Sequence, residues 1–108
     1  MQSSQADITQ QNPQQYLVSG VVDFSTAPDL LRKSLVFFSA LNASGNRRIT
    51  IDLSSVEECN SAALALILEV SKSAKQKNID VHFENLPLSL LTIAKAYGVE
   101  NEIRELCK

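Results

Sequence analysis

Between Gln15 and Asn85 the hydrophobic pattern switches its period back and forth, and this alternation restricts the fold more than any other feature. Gln15 to Val22 reads as a strand, because Tyr16, Leu17, Val18, Val21 and Val22 are good strand formers. A helix-period segment follows to about Leu41, with Leu31, Leu35 and Phe38 at i, i+4 and i+7. Arg48 to Leu53 returns to a strand pattern, and Ser54 to Ser61 reads as a polar connection. A long helix is expected from about Ala62 to Lys77, with Asn78 closing it, and another strand from Asp80 to Asn85. Strands separated by helices are joined by parallel crossovers, so most of the sheet is expected to be parallel.

The two ends complete the order. Ala6 to Gln10 is a weak strand, and Asn12-Pro13 reads as a turn joining it to the next strand as an antiparallel hairpin. Leu88 to Tyr97 is a short helix, with Gly98 at the usual left-handed position after its end. Glu100 to Cys107 is a last helix with Ile103, Leu106 and Cys107 on one side. The expected order is β-β-α-β-α-β-α-α. It describes an α/β fold with a mixed, mostly parallel sheet of four to five strands and about four helices. All 108 residues are expected to form one domain, with a flexible glutamine-rich start over residues 1–5.

Local chemistry marks the helix starts. Ser25 or Thr26 ahead of Pro28 is a start signal, with Asp29 favoured by the helix dipole. Asn42 to Asn46, containing Ser44-Gly45, ends that helix. Asn60 and Ser61 are both good caps for the central helix, and one alone meets the structural need. The other is then free to present its side chain at the helix N-terminus, where a phosphate on Ser61 would meet the positive end.

Composition excludes several functions. A net charge of −2 gives no basic surplus for neutralising phosphates, so no nucleic-acid partner is expected. One histidine and two cysteines leave little for a metal or Cys/His site, and Cys59 and Cys107 match no ligand spacing. Three glycines cannot build a Gly-rich phosphate cradle. His82, between Val81 and Phe83, reads as a strand residue rather than a general base, and Asp52, Glu57 and Glu58 lack a matching nucleophile. No enzyme activity and no cofactor are expected. The start carries no basic, apolar leader pattern, and the longest apolar run, Ala62 to Leu68, is far short of the roughly 20 residues of a membrane span. Two free thiols fit a reducing, cytoplasmic setting.

The central helix has two stripes. Ala63, Ile67, Val70 and Ala74 form its core face, with Leu66 at the edge. Opposite lie Ser61, Leu64, Ala65, Leu68 and Lys72. Either a neighbouring helix of the same chain covers Leu64 and Leu68, or they form a partner-binding patch at the helix N-terminal end.

Val18-Ser19-Gly20-Val21-Val22-Asp23-Phe24-Ser25-Thr26-Ala27-Pro28 resembles the strand-to-helix signature of STAS domains. Ile49 to Val56 followed by Asn60-Ser61-Ala62-Ala63-Leu64 is similar to their second signature, and Ile93-Ala94-Lys95-Ala96-Tyr97-Gly98-Val99 extends the likeness over nearly the whole chain. Residues 63–69 and 91–99 look most like the small cytoplasmic STAS subunit of the Mla phospholipid ABC transporter, which maintains outer-membrane lipid asymmetry in Gram-negative bacteria. The resemblance implies a non-catalytic accessory subunit that binds the ATPase subunit, and through it the permease and the inner membrane. It places the Ser/Thr at the head of the central helix, Ser61, in that interface. The expected contact set is Asn60, Ser61, Leu64, Ala65 and Leu68, with Phe24 from the nearby loop. An uncovered Leu64/Leu68 patch would also let the isolated subunit self-associate. The alternative is a signalling switch like the anti-sigma-factor antagonists, phosphorylated on Ser61. Asn60 stands where those proteins commonly carry an acidic residue, and no glycine follows Ser61; this departure weighs on kinase recognition more than on docking.

Overall fold

A computed structural model describes residues 5–41 and 47–107. The elements are β1 (Ala6–Asn12), β2 (Gln15–Val22), α1 (Ala27–Ala40), β3 (Arg48–Cys59), α2 (Ser61–Gln76), β4 (Asp80–Glu84), α3 (Leu88–Ala96) and α4 (Glu100–Glu105). They form one sheet in the order β1-β2-β3-β4, with β1 antiparallel to β2 and the other pairs parallel. This is the mixed α/β architecture expected from the alternating periods. The end of the first helix expected over Asn42 to Asn46 lies outside the described residues, as do residues 1–4. Gln5 is tied down: its carbonyl accepts the Val21 N–H at 3.0 Å.

Both crossovers step the same way across the sheet, so their common hand puts α1 and α2 on the same face, where they pack on each other. The core lies between that layer and alternate strand residues: Ile8, Tyr16, Val18, Ile49, Ile51, Leu53 and Phe83. Leu17, Thr50, Asp52 and His82 are half-buried on the opposite face. Desolvation pushes the Asp52 carboxyl up, but hydrogen bonds from Asn85 and Ser54 outweigh it and hold the group below its ordinary value.

β3 runs well beyond Leu53, where a polar connection was expected. Its pairing with β2 shifts register between Leu17 and Ser19 and again between Gly20 and Val21. Each shift sets one extra β3 residue against β2, which breaks the period of two and disguises Ser54 to Cys59 as loop. β1 likewise reaches Asn12 rather than stopping at Gln10, with an irregularity between them.

Two helix ends follow the left-handed closing motif. After α2, Asn78 has φ 59° and the Ile79 N–H reaches the Ala74 carbonyl; after α3, Gly98 has φ 75° and the Val99 N–H reaches Ala94.

Gly20 is required where β2 passes β1. Its φ is 92°, and a Cβ there would collide with the Gln5 carbonyl oxygen and sit 2.9 Å from Ala6 Cα. Gly20→Ala is expected to cost roughly 2–4 kcal/mol, from the left-handed backbone plus the displaced β1. Urea denaturation measures it.

Candidate functional site

The carboxyl ends of the parallel strands carry the turn into α1 and the entry into α2, which is where open α/β sheets usually bind. The first turn is built by hydrogen bonds. The Asp23 carboxylate accepts from the Ser25 N–H at 2.8 Å, the Ser25 hydroxyl at 2.6 Å and the Thr26 N–H at 3.2 Å. Thr26 is buried, and its hydroxyl donates to the Val21 carbonyl at 2.8 Å while accepting the Asp23 N–H at 2.9 Å. Thr26 is the N-cap residue by position, but its side chain caps no helical N–H; it is turned back onto β2 instead. With its neighbours fixed this way, Phe24 projects outward and is 70% exposed.

The Ser25 hydroxyl above all holds the Asp23 carboxyl below its ordinary value; partial desolvation opposes this, and the Ser25 and Thr26 N–H groups add to it. A folded-state pKa below the unfolded one means the turn is fully supported above the ordinary carboxylate range. That support is lost as pH falls through the depressed value. Thr26→Val keeps the shape but leaves the Asp23 N–H and the Val21 carbonyl without this partner. It is expected to cost roughly 2 kcal/mol in a urea melt.

Phe24 stands at one end of an apolar groove between α1 and α2, of about 260 Å³. Ala27, Pro28 and Leu31 line it from α1, and Ala62, Ala65, Leu66 and Glu69 from α2. Every wall but Glu69 is aliphatic, aromatic or proline, so the groove suits an apolar side chain better than a polar substrate.

The entry into α2 resolves which of the two caps acts. Asn60 does so, its side chain accepting the Ala62 N–H at 2.8 Å and its own N–H donating to the Val22 carbonyl at 3.2 Å. Ser61 is the first helical residue, half-buried and relieved of capping. Just ahead, Cys59 Sγ lies 3.4 Å from Ser89 Oγ at the start of α3.

The expected contact set is therefore divided. Phe24 and Ala65 share the groove. Asn60 is exposed at the α2 entry beside Ser61. Leu64 is only 4% exposed and belongs to the core, so its own chain covers it and it offers no docking surface. Leu68, 36% exposed, lies on the other flank of α2, beside Lys72, Lys75, Glu102 of α4 and Leu106 just after it. Sequence reasoning missed the α1 wall, because only packing brings Leu31 beside Leu66. The one local signal was Leu31, placed on the apolar side of its helix.

Among the described residues no helix is long and apolar enough to cross a membrane. No curated protein matches the sequence. Among solved structures, the fold is similar to that titled "Structure of the Anti-Sigma Factor Antagonist SpoIIAA in its Unphosphorylated Form". The TM-score is 0.64 at 10% identity, over 92% of this chain and 84% of that one. The family described as "Mlab, STAS domain" matches residues 9–106. A match from β1 to α4 takes in both walls of the groove and the Asn60–Ser61 entry, and the chain belongs to the Mlab, STAS domain family.

Proposed function

We propose that this chain is a non-catalytic accessory subunit of a phospholipid-transporting ABC complex that maintains outer-membrane lipid asymmetry in Gram-negative bacteria. It binds and stabilises the ATPase subunit, and sits in the cytoplasm at the inner membrane through that complex. The observation that carries the reading is Phe24, an exposed aromatic on a hydrogen-bonded turn, beside an apolar groove. Exposed aromatics on rigid supports next to small apolar pockets are typical interface anchors, since little entropy is lost when they bind. Asn60 and Ser61 immediately precede Ala62, which lines the groove, and in this reading their amide and hydroxyl supply hydrogen bonds around a dry centre. The subunit acts by favouring the ATPase conformation it binds best.

Affinity purification of the tagged chain from native extract tests this. The ATPase and permease should co-purify with it, and recovery of neither contradicts the reading.

A second reading rests on Ser61. Asn60 already caps α2, so a phosphate on the first helical residue would meet the helix's positive end without displacing the cap. Incubation with a cognate kinase and mass spectrometry decides it: phosphate on Ser61 supports a signalling switch, and its absence removes that reading.

A further inference from the structure

The two edges of the sheet are treated differently. At the β4 edge the Phe83 N–H donates to the Leu106 carbonyl at 2.8 Å, so the segment after α4 closes that edge there. No described element pairs with the outer edge of β1. The register fixes which of its groups face outward. The Val21 N–H binds the Gln5 carbonyl, so in this antiparallel pair Gln5, Asp7 and Thr9 turn their backbone groups toward β2. Ala6, Ile8 and Gln10 turn theirs away.

That outward row is self-complementary. A second copy related by a two-fold axis at Ile8 would set Ile8 against Ile8 and Ala6 against Gln10, within the regular part of the strand. From Ile8 to Asn12 there is neither a charge nor a proline, the devices that usually blunt an edge. Val36, one turn beyond Lys33 on the same side of α1, is 60% exposed and extends this flank with apolar surface.

One contact blocks the pairing. The Asp7 carboxylate accepts the outward Ile8 N–H at 2.8 Å, which is the donor the central hydrogen bonds of the pair would need. Lys33 of α1 holds that carboxylate at 2.9 Å and also reaches Asp29 at 3.4 Å. We propose that Asp7, anchored by Lys33, guards an otherwise self-complementary strand edge, and that the partner it excludes is a second copy of this chain.

Light scattering after size exclusion, over a concentration series of the full chain, tests this. Wild type should be monomeric. Asp7→Ala should dimerise roughly tenfold more tightly or better, the effect of removing one charge-assisted hydrogen bond from the competing state. Lys33→Ala, which frees the carboxylate without removing it, should shift the same way by less. Adding Gln10→Pro to Asp7→Ala removes an outward N–H and should restore the monomer. Asp7 is exposed, and circular dichroism checks that each variant is folded. A monomeric Asp7→Ala, a dimer that survives Gln10→Pro, or a wild type as dimeric as Asp7→Ala would each overturn the proposal.

Discussion

Leu64→Ala is expected to lower the unfolding free energy by about 2–5 kcal/mol, the range for truncating a leucine in a packed core. Leu68→Ala, one turn further along α2, should cost less than about 1 kcal/mol. A helical wheel puts both residues on the same side of α2, so the difference reads out tertiary packing alone. Leu64 is 4% exposed within the core, whereas Leu68 is 36% exposed. Urea denaturation of the two variants measures it. Equal, small effects would mean that Leu64 is not packed in the core, and would return it to the docking surface.

The second large effect concerns binding. If the proposed docking holds, Ala65→Arg should weaken association with the ATPase subunit by roughly a hundredfold or more, because it puts a charged side chain into the apolar groove proposed as the interface. Ala65 is exposed and lines the groove, so the isolated domain should melt as wild type does. Phe24→Ala should cost roughly 2 kcal/mol of binding, the scale of an anchoring aromatic, again with little effect on stability. Leu68→Asp, outside the groove, is expected to bind within about threefold of wild type, as surface changes away from the anchors usually do. Calorimetric titration against the ATPase subunit separates the three. Loss of binding for Leu68→Asp alone would move the interface to the α4 flank of α2.

Much of the fold was legible because strand and helix periods are local properties. The alternation from Gln15 to Asn85 carries the parallel crossovers, and Gly98 marks the end of α3 as its backbone requires. The β3 extension was not legible. Two register shifts destroy the alternation on which strand reading depends, although Val56 and Cys59 still pair with Gly20 and Val22. Cap chemistry was half legible: Asn60 and Ser61 are equally good caps in sequence, and only geometry gives the task to Asn60. Thr26 is legible as a polar residue at a helix start, but its bond to Val21 depends on the path of the chain before the helix.

The candidate site divides along the same line. Phe24 and Ala65 could be singled out from the loop and from one helix face, and the structure brings them together. Leu31, Pro28 and Ala27 could not, because a groove between two helices belongs to neither sequence segment. Leu64 misled because an apolar stripe on a helix does not reveal whether it faces solvent or the next helix of the same chain.

The most direct test of docking through the α1–α2 groove is site-specific photocrosslinking in cells. A photoreactive residue at Ala65 should give an adduct with the ATPase subunit, and one at Thr50, on the open face of the sheet, should not. An adduct from Thr50 and none from Ala65 would contradict the account.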